Sequence, residues 1–347
     1  MAIPRLSDVL PFVTDSLGPA LLTPAALTAI TSLGAAVPRV MSSFGFECRL
    51  HGDDDSVDIG FSIEAANGGA VVLAGTVPDD QISWAVSRND AWRRLQAFAV
   101  QWGEADSPIR TWVPFIFLEI DAAAAAASVP VPSVFVALDW PLQSRSDARP
   151  ADTYEPVFEA ARDLLHILHG VPLSPAMTRR LHDCFEALPL RGWVSHVAAM
   201  LSRVPATPRL SVELPRAALR CYLEELGWMH WSRDLEAILM LLAEEQRSVQ
   251  FDFDVGERIG PKLGILLSTL HRPDVAELLN RMEAAGLCTA SKRQALLEWP
   301  GTVTTPSTVH EPSRTLERYM SHLKVSYAPD GGREAKAYLM VRPRQSW

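Results

Sequence analysis

The sequence predicts an α+β fold in which ten antiparallel strands close into a β-barrel, with helices outside and a solvent-accessible lumen. Two-strand hairpin patterns occur five times, amphipathic helical stretches separate them, and the unit recurs about every 55–80 residues with negligible identity between copies. A flat sheet of ten strands would leave two edges and a bare face. Closure removes the edges, and an outer helical layer covers the outside. A barrel wider than about eight strands no longer fills with its own side chains and encloses a cavity. On this reading residues 1–347 form one domain of five ββαα-type repeats. The alternative is two α+β domains split within 141–155 (PLQSRSDARPADTYE), the most linker-like stretch.

The hairpins span 44–63, 112–140, 193–214, 249–267 and 321–342, each a period-2 run, a turn and a second period-2 run. Between them, residues 80–102, 154–169, 215–226 and 233–247 carry the i, i+3, i+4 apolar spacing of helices. Ser174 followed by Pro175 reads as an N-cap with proline at the first helical position. Pro273-Asp274 opens a helix that Gly286 can stop, and Thr289 can cap the next. The Ala122–Ala127 run is too short between two strands to hold a helix and is expected to be a loop.

Composition narrows the function. The 32 Lys+Arg stand against 41 Asp+Glu, a net charge of −9, which argues against a nucleic-acid partner or adsorption to anionic membrane. No apolar run approaches the roughly 20 residues of a membrane-spanning helix. Asp8 and Asp15 interrupt the N-terminal apolar stretch, so it reads poorly as a signal peptide. Cys48, Cys184, Cys221 and Cys288 are far apart and form no CxxC, which fits reduced thiols and a cytoplasmic protein.

Strand alternation sorts the hairpin residues onto two faces. In the fifth hairpin Leu323, Val325, Tyr327, Ala337, Leu339 and Val341 share one face. His322, Lys324, Ser326, Lys336, Tyr338, Met340 and Arg342 share the other. The fourth sets Gln250, Asp252 and Asp254 opposite Val249, Phe251, Phe253 and Val255, and places Lys262 beside Gly264 on its return strand. Glu47 and Arg49 oppose Phe46, Cys48 and Leu50 in the first, where Asp58 lies on the return strand; Arg209, Ser211 and Glu213 share a face in the third. The second is aromatic, with Phe115, Phe117, Phe135 and Trp140, and ends in Glu119 and Asp121. In an open sheet such polar faces are solvated. In a closed barrel they line the lumen, and charges there need partners or a ligand.

Five repeats of two antiparallel strands plus helices, with LKVSYAPDGGREAKAYL at the last hairpin, resemble the ABBA (PT-barrel) aromatic and peptide prenyltransferases. The resemblance implies transfer of an allylic prenyl group from a prenyl diphosphate to an aromatic small molecule or peptide in secondary metabolism. It implies that Lys262, Lys324, Lys336 and Tyr338, with Arg49 and Arg342 as further contributors, hold the diphosphate. Arginine and lysine suit its oxygens, and aromatic faces favour the carbocation. Glu47 would accept a proton from the acceptor or orient it. Phe115, Phe117, Phe135, Asp252 and Asp254 would line the acceptor and prenyl pocket. No cofactor is required on this pattern; Mg²⁺ is compatible with diphosphate chemistry, but no sequence feature indicates it. The chain departs from the pattern in carrying Asp58 where an arginine is expected, and in having no Lys or Arg on the strands of the second hairpin. A non-catalytic barrel that binds a peptide or hydrophobic ligand, and a barrel enzyme with other acid/base chemistry, are the alternatives.

Two acidic or histidine-containing motifs read as structure. The Asp53–Asp55 triplet follows His51-Gly52 in a hairpin turn. Asp163, His166 and His169 sit three apart near a helix end, without a second ligand cluster at metal-site spacing.

Overall fold

A computed structural model describes residues 6–36, 42–52, 56–77, 80–121, 130–138, 154–203, 206–243, 247–270, 272–306 and 313–344. Asp53–Asp55, Ala122–Ala127, Trp140 and 141–153 lie outside them. Ten strands form one closed antiparallel sheet. β1 (Ser43–Arg49) pairs with β2 (Val57–Glu64), and the order continues through β3 (Phe115–Ile120), β4 (Ser133–Ala137), β5 (Trp193–Ala199) and β6 (Pro208–Pro215). It runs on through β7 (Ser248–Val255) and β8 (Ile259–Ser268). An eleventh strand, β9 (Gly301–Thr305), precedes β10 (Arg314–Tyr327) and β11 (Arg333–Pro343), and β11 returns to β1 to close the barrel.

The fifth hairpin is longer than its pattern suggests. Residues 314–318 of β10 pair with β9, and residues 322–327 pair with β8. A bulge between Met320 and His322 shifts the register at Ser321. A bulge reverses which face the alternation serves, so a period-2 reading starts afresh there and loses the first half of the strand.

Helices α1 (Leu6–Thr14), α2 (Gly18–Leu21) and α3 (Pro24–Ala36) precede the barrel. After β2 come α4 (Gly69–Leu73), α5 (Asp80–Arg88), α6 (Asp90–Gly103) and α7 (Pro108–Trp112). The helix expected over 80–102 is therefore two: the Asn89 side chain accepts from the Ala91 amide and starts α6 afresh. Trp112 ends α7 instead of opening a strand, and β3 begins beyond Pro114, which has no N–H for a ladder. After β4 come α8 (Glu155–His169) and α9 (Pro175–Glu186), and Ser174 caps α9 through the Met177 amide. After β6 a 3₁₀ turn, Arg216–Ala218, leads into α10 (Leu219–Glu225) and α11 (Arg233–Ala243). After β8 come α12 (Val275–Ala284) and α13 (Ala290–Glu298); Gly286, at φ +70°, stops the first, and Thr289 caps the second.

The core lies between strands and helices. Phe44, Phe46 and Cys48 of β1, Leu323 and Val325 of β10, and Ala337, Leu339 and Val341 of β11 all face outward into it, buried. Buried indoles seat the helical layer by donating to backbone carbonyls: Trp102 to Val113, Trp92 to Pro130, and Trp299 to Tyr319. All four cysteines are free thiols. Among the described residues no helix is long and apolar enough to cross a membrane.

Candidate active site in the barrel lumen

The opposite face of each strand lines the lumen, and the register stacks its side chains in rows. One row runs Lys324, Lys336, Arg49 across β10, β11 and β1. The next runs His322, Tyr338, Glu47, Asp58. A third runs Met340, Gly45, Gly60, Glu119, Ser133 from β11 to β4. Lys324 and Lys336 are thus directly opposed neighbours.

Neighbouring cations at this depth require compensation, and each has it. Lys336 Nζ lies 2.5 Å from Glu47 Oε1, and Lys324 Nζ lies 2.5 Å from Asp252 Oδ2. Arg49 donates to Asp58 over 2.8 Å and Arg209 to Asp254 over 2.8 Å. Glu334 stands near Arg49, Lys336 and Lys262 at 3.3–3.5 Å. Glu47, Asp58, Asp252 and Lys324 are all buried. Gly264 makes room for the Lys324–Asp252 pair. A Cβ there would fall 2.3 Å from Lys324 Cε and 2.6 Å from Asp252 Oδ1.

Two carboxyl groups in this lumen are driven in opposite directions. Burial alone would raise Glu47, but the ammonium groups of Lys336 and Lys324 and hydrogen bonds from Lys336 and Tyr338 bring it down to about 2. Burial, reinforced by the Glu47 carboxylate, raises Glu119 to about 8 against the pull of Lys324. Asp252 is lowered: burial opposes its ionisation, and Lys324 and Arg209 outweigh that. Burial holds His196 at about 4 and His322 at about 3, so both imidazoles are neutral. The His322 ring stacks on Tyr338 at 3.9 Å between centroids.

A small cavity opens beside Glu47, lined by Gly45, Gly60, Phe117, Glu119, Tyr338 and Met340. Its floor depends on glycine. A Cβ at Gly60 would sit 2.3 Å from the Phe117 ring, and one at Gly45 would sit 2.5 Å from the Leu339 carbonyl oxygen. Phe117 pairs across the ladder with Phe135, and Phe115 meets His196 edge-on at 6.3 Å.

The residues singled out from the sequence separate into three places. Glu47, Arg49, Lys324, Lys336, Tyr338, Asp252 and Asp254 come together in the ion-paired part of the lumen, and Phe115, Phe117 and Phe135 form its aromatic side. Lys262 sits at the rim with its side chain 54% exposed. Arg342 is roughly 20 Å along β11 from Lys336, at about 3.4 Å per residue, and there it pairs with Glu317 and stacks on Tyr319. One diphosphate cannot span that distance. Arg209, Glu119 and the glycine pair are lumen residues that the sequence reading did not select. Arg209 and Glu119 lie on the polar faces of their own strands, a signal that was present, whereas the glycines' role emerges only from what faces them. Asp163 pairs with Arg162, and with His166 and His169 it makes no ligand set among the described residues.

Ten antiparallel strands closed around such a lumen, with helices outside, constitute the PT-barrel (ABBA) fold. No family model and no curated protein sequence matches the chain. Among solved structures, the apo form of the prenyltransferase PriB is similar at a TM-score of 0.57 and 15% identity, covering 99% of both chains. PriB in ternary complex with L-tryptophan and dimethylallyl thiolodiphosphate gives 0.55 and 14%, again over 99% of both. The prenyltransferase NotF, in complex with brevianamide F and the same thiolodiphosphate, gives 0.53 and 11%, covering 99% of this chain and 96% of that one. At these identities the likeness is one of fold.

Proposed function

We propose that this barrel transfers a prenyl group from an allylic prenyl diphosphate to an aromatic or peptide acceptor. The observation that carries the reading is the setting of Glu47: a buried carboxylate on the first barrel strand, held by Lys336 and Tyr338, at the wall of an aromatic-sided cavity. The similar prenyltransferases PriB and NotF have been solved with dimethylallyl thiolodiphosphate together with L-tryptophan or brevianamide F, which supports a prenyl diphosphate and an aromatic acceptor as substrate classes here.

The chemistry follows from the rows. Diphosphate oxygens placed at Lys324 and Lys336 draw these ammonium groups away from Asp252 and Glu47. Arg49 and Arg209 lie on either side as further donors. The allylic C–O bond breaks, its electron pair leaves with the diphosphate, and the positive charge spreads over the prenyl carbons, where the ring faces of Tyr338 and Phe117 favour it. The acceptor carbon supplies the electron pair for the new C–C bond. Glu47 meanwhile accepts a hydrogen bond from the acceptor's N–H or O–H and stabilises the positive charge that develops on it. Sharing Lys336 with the diphosphate makes Glu47 more basic at the moment it is needed. The acceptor's lost proton leaves through Glu47 or the diphosphate.

A second reading is a non-catalytic barrel that binds a peptide or hydrophobic ligand. It is favoured by one observation: each lumen cation already has a carboxylate partner. Incubation with dimethylallyl or geranyl diphosphate and either L-tryptophan or brevianamide F separates the two. Prenylated product with stoichiometric diphosphate release is expected. Acceptor binding without release across both donors favours the second reading.

A further inference from the structure

Two lumen histidines are held in the same way, and the transfer reading uses neither. β5 and β10 each carry a bulge, and in each the extra residue is a serine followed at once by an inward-facing histidine: Ser195-His196 and Ser321-His322. Ser195 Oγ lies 3.1 Å from His196 Nδ1, and Ser321 Oγ lies 2.8 Å from His322 Nδ1. A hydroxyl has one proton, and each serine gives it to a backbone carbonyl: Ser195 to Ser211 over 3.1 Å, Ser321 to Tyr338 over 3.3 Å. Toward its imidazole each serine is therefore the acceptor. Both neutral rings carry their proton on Nδ1 and present a bare lone pair on Nε2.

Gln250 extends the pattern. Its Nε2 donates to Ser195 Oγ and Ser211 Oγ, each over 3.2 Å, which leaves its amide oxygen as a further acceptor. Among the described residues neither imidazole Nε2 has a hydrogen-bond or ion-pair partner. Solvent reaches this side of the lumen: Phe115, Phe135, His196, Gln250, Leu266 and His322 point inward from six strands, and each is only half-buried.

We infer that His196 and His322 bind backbone N–H groups of a peptide-type ligand, each Nε2 accepting from one neutral amide. Naming that ligand the prenyl acceptor rests on the transfer reading; the binding itself does not. Charge selects the neutral N–H. Lys324 lies two residues from His322 on the same face, roughly 7 Å along the strand, and after burial its ammonium is what keeps the His322 ring uncharged. A ligand ammonium placed there would meet the same field, and the carboxylates within reach, Glu47 and Asp252, are already paired with lysines. A carbonyl or carboxylate oxygen would set its own lone pairs against those of Nε2. A free amino acid, with an ammonium and a carboxylate, fits less well than a peptide backbone.

Two measurements test this. Nitrogen-15 NMR of the ligand-free protein at pH 7 is expected to show both rings as the Nδ1–H tautomer, and Ser321→Ala to let His322 move toward Nε2–H. Equilibrium binding without donor then compares cyclo(L-Trp-Gly) with its analogue methylated on both lactam nitrogens, which keeps the indole N–H for Glu47. Wild type is expected to bind the unmethylated ligand about tenfold tighter, and the double variant His196→Phe/His322→Phe, which keeps a ring on Tyr338 but no acceptor, to bind both alike. An Nε2–H tautomer in wild type, equal or no binding of the two ligands by wild type, or a preference that survives in the double variant overturns the inference. Discriminating binding without prenyl transfer would instead sink the transfer reading and leave the role of the histidines standing.

Discussion

Replacing Asp252 by asparagine tests the electrostatics of the lumen most sharply. The Lys324–Asp252 contact is 2.5 Å, both side chains are only 10% exposed, and the pair fills the notch that Gly264 leaves open. Removing one partner of a buried pair typically costs about 3–5 kcal/mol, because the remaining charge is stranded away from water. Here the asparagine oxygen still accepts from the ammonium and Glu47 lies nearby, so the expected loss is about 2–3 kcal/mol. Unfolding entropy of about 2.1 cal/mol/K per residue, over 347 residues, converts that to a fall of roughly 3–4 °C in Tm. The freed Lys324 then becomes a better diphosphate ligand. Inorganic pyrophosphate at about 100 times its Kd should restore about 2.7 kcal/mol. Urea unfolding of wild type and Asp252→Asn, with and without pyrophosphate, reads both effects. A variant within 0.5 kcal/mol of wild type, and no better stabilised by pyrophosphate, would refute the reasoning that the pair is desolvated and guards an anion site.

The low pKa of Glu47 makes its contribution to stability complete above about 4.5 and progressively lost as pH falls toward about 2. Lys336→Met removes the ammonium that hydrogen-bonds Glu47, so stability profiles between pH 3 and 5 should lose part of that acid slope; a slope equal to wild type contradicts the pairing. Gly60→Ala puts a methyl group against the Phe117 ring. It should cost about 1–3 kcal/mol and weaken acceptor binding with the circular dichroism of the fold retained, whereas unchanged affinity would show that the ring moves freely. Ser174→Ala removes the cap on α9 and should cost about 1 kcal/mol in urea unfolding without touching ligand binding.

Strand alternation made most of the barrel legible. Leu323, Val325 and Tyr327 against His322, Lys324 and Ser326 is a pattern that only a two-faced strand satisfies, and all six occupy the faces it assigns. The same rule failed at Ser321, where the bulge resets the alternation, so the first half of β10 and its partner β9 went unread. Asn89 split a helix because a side-chain cap inside an apolar-periodic stretch leaves the periodicity intact while ending the hydrogen-bond ladder. The lumen's polar character was also visible strand by strand. Its pairing was not: Lys336 and Glu47 are 289 residues apart and meet only because β11 closes on β1.

The most direct measurement of the central claim is a crystal structure of the protein with dimethylallyl thiolodiphosphate. The account predicts the diphosphate in the lumen between Lys324 and Lys336, with their contacts to Asp252 and Glu47 lengthened or broken and the prenyl chain toward Phe117 and Tyr338. An analogue absent from the lumen at saturating concentration, with both ion pairs intact, would contradict it.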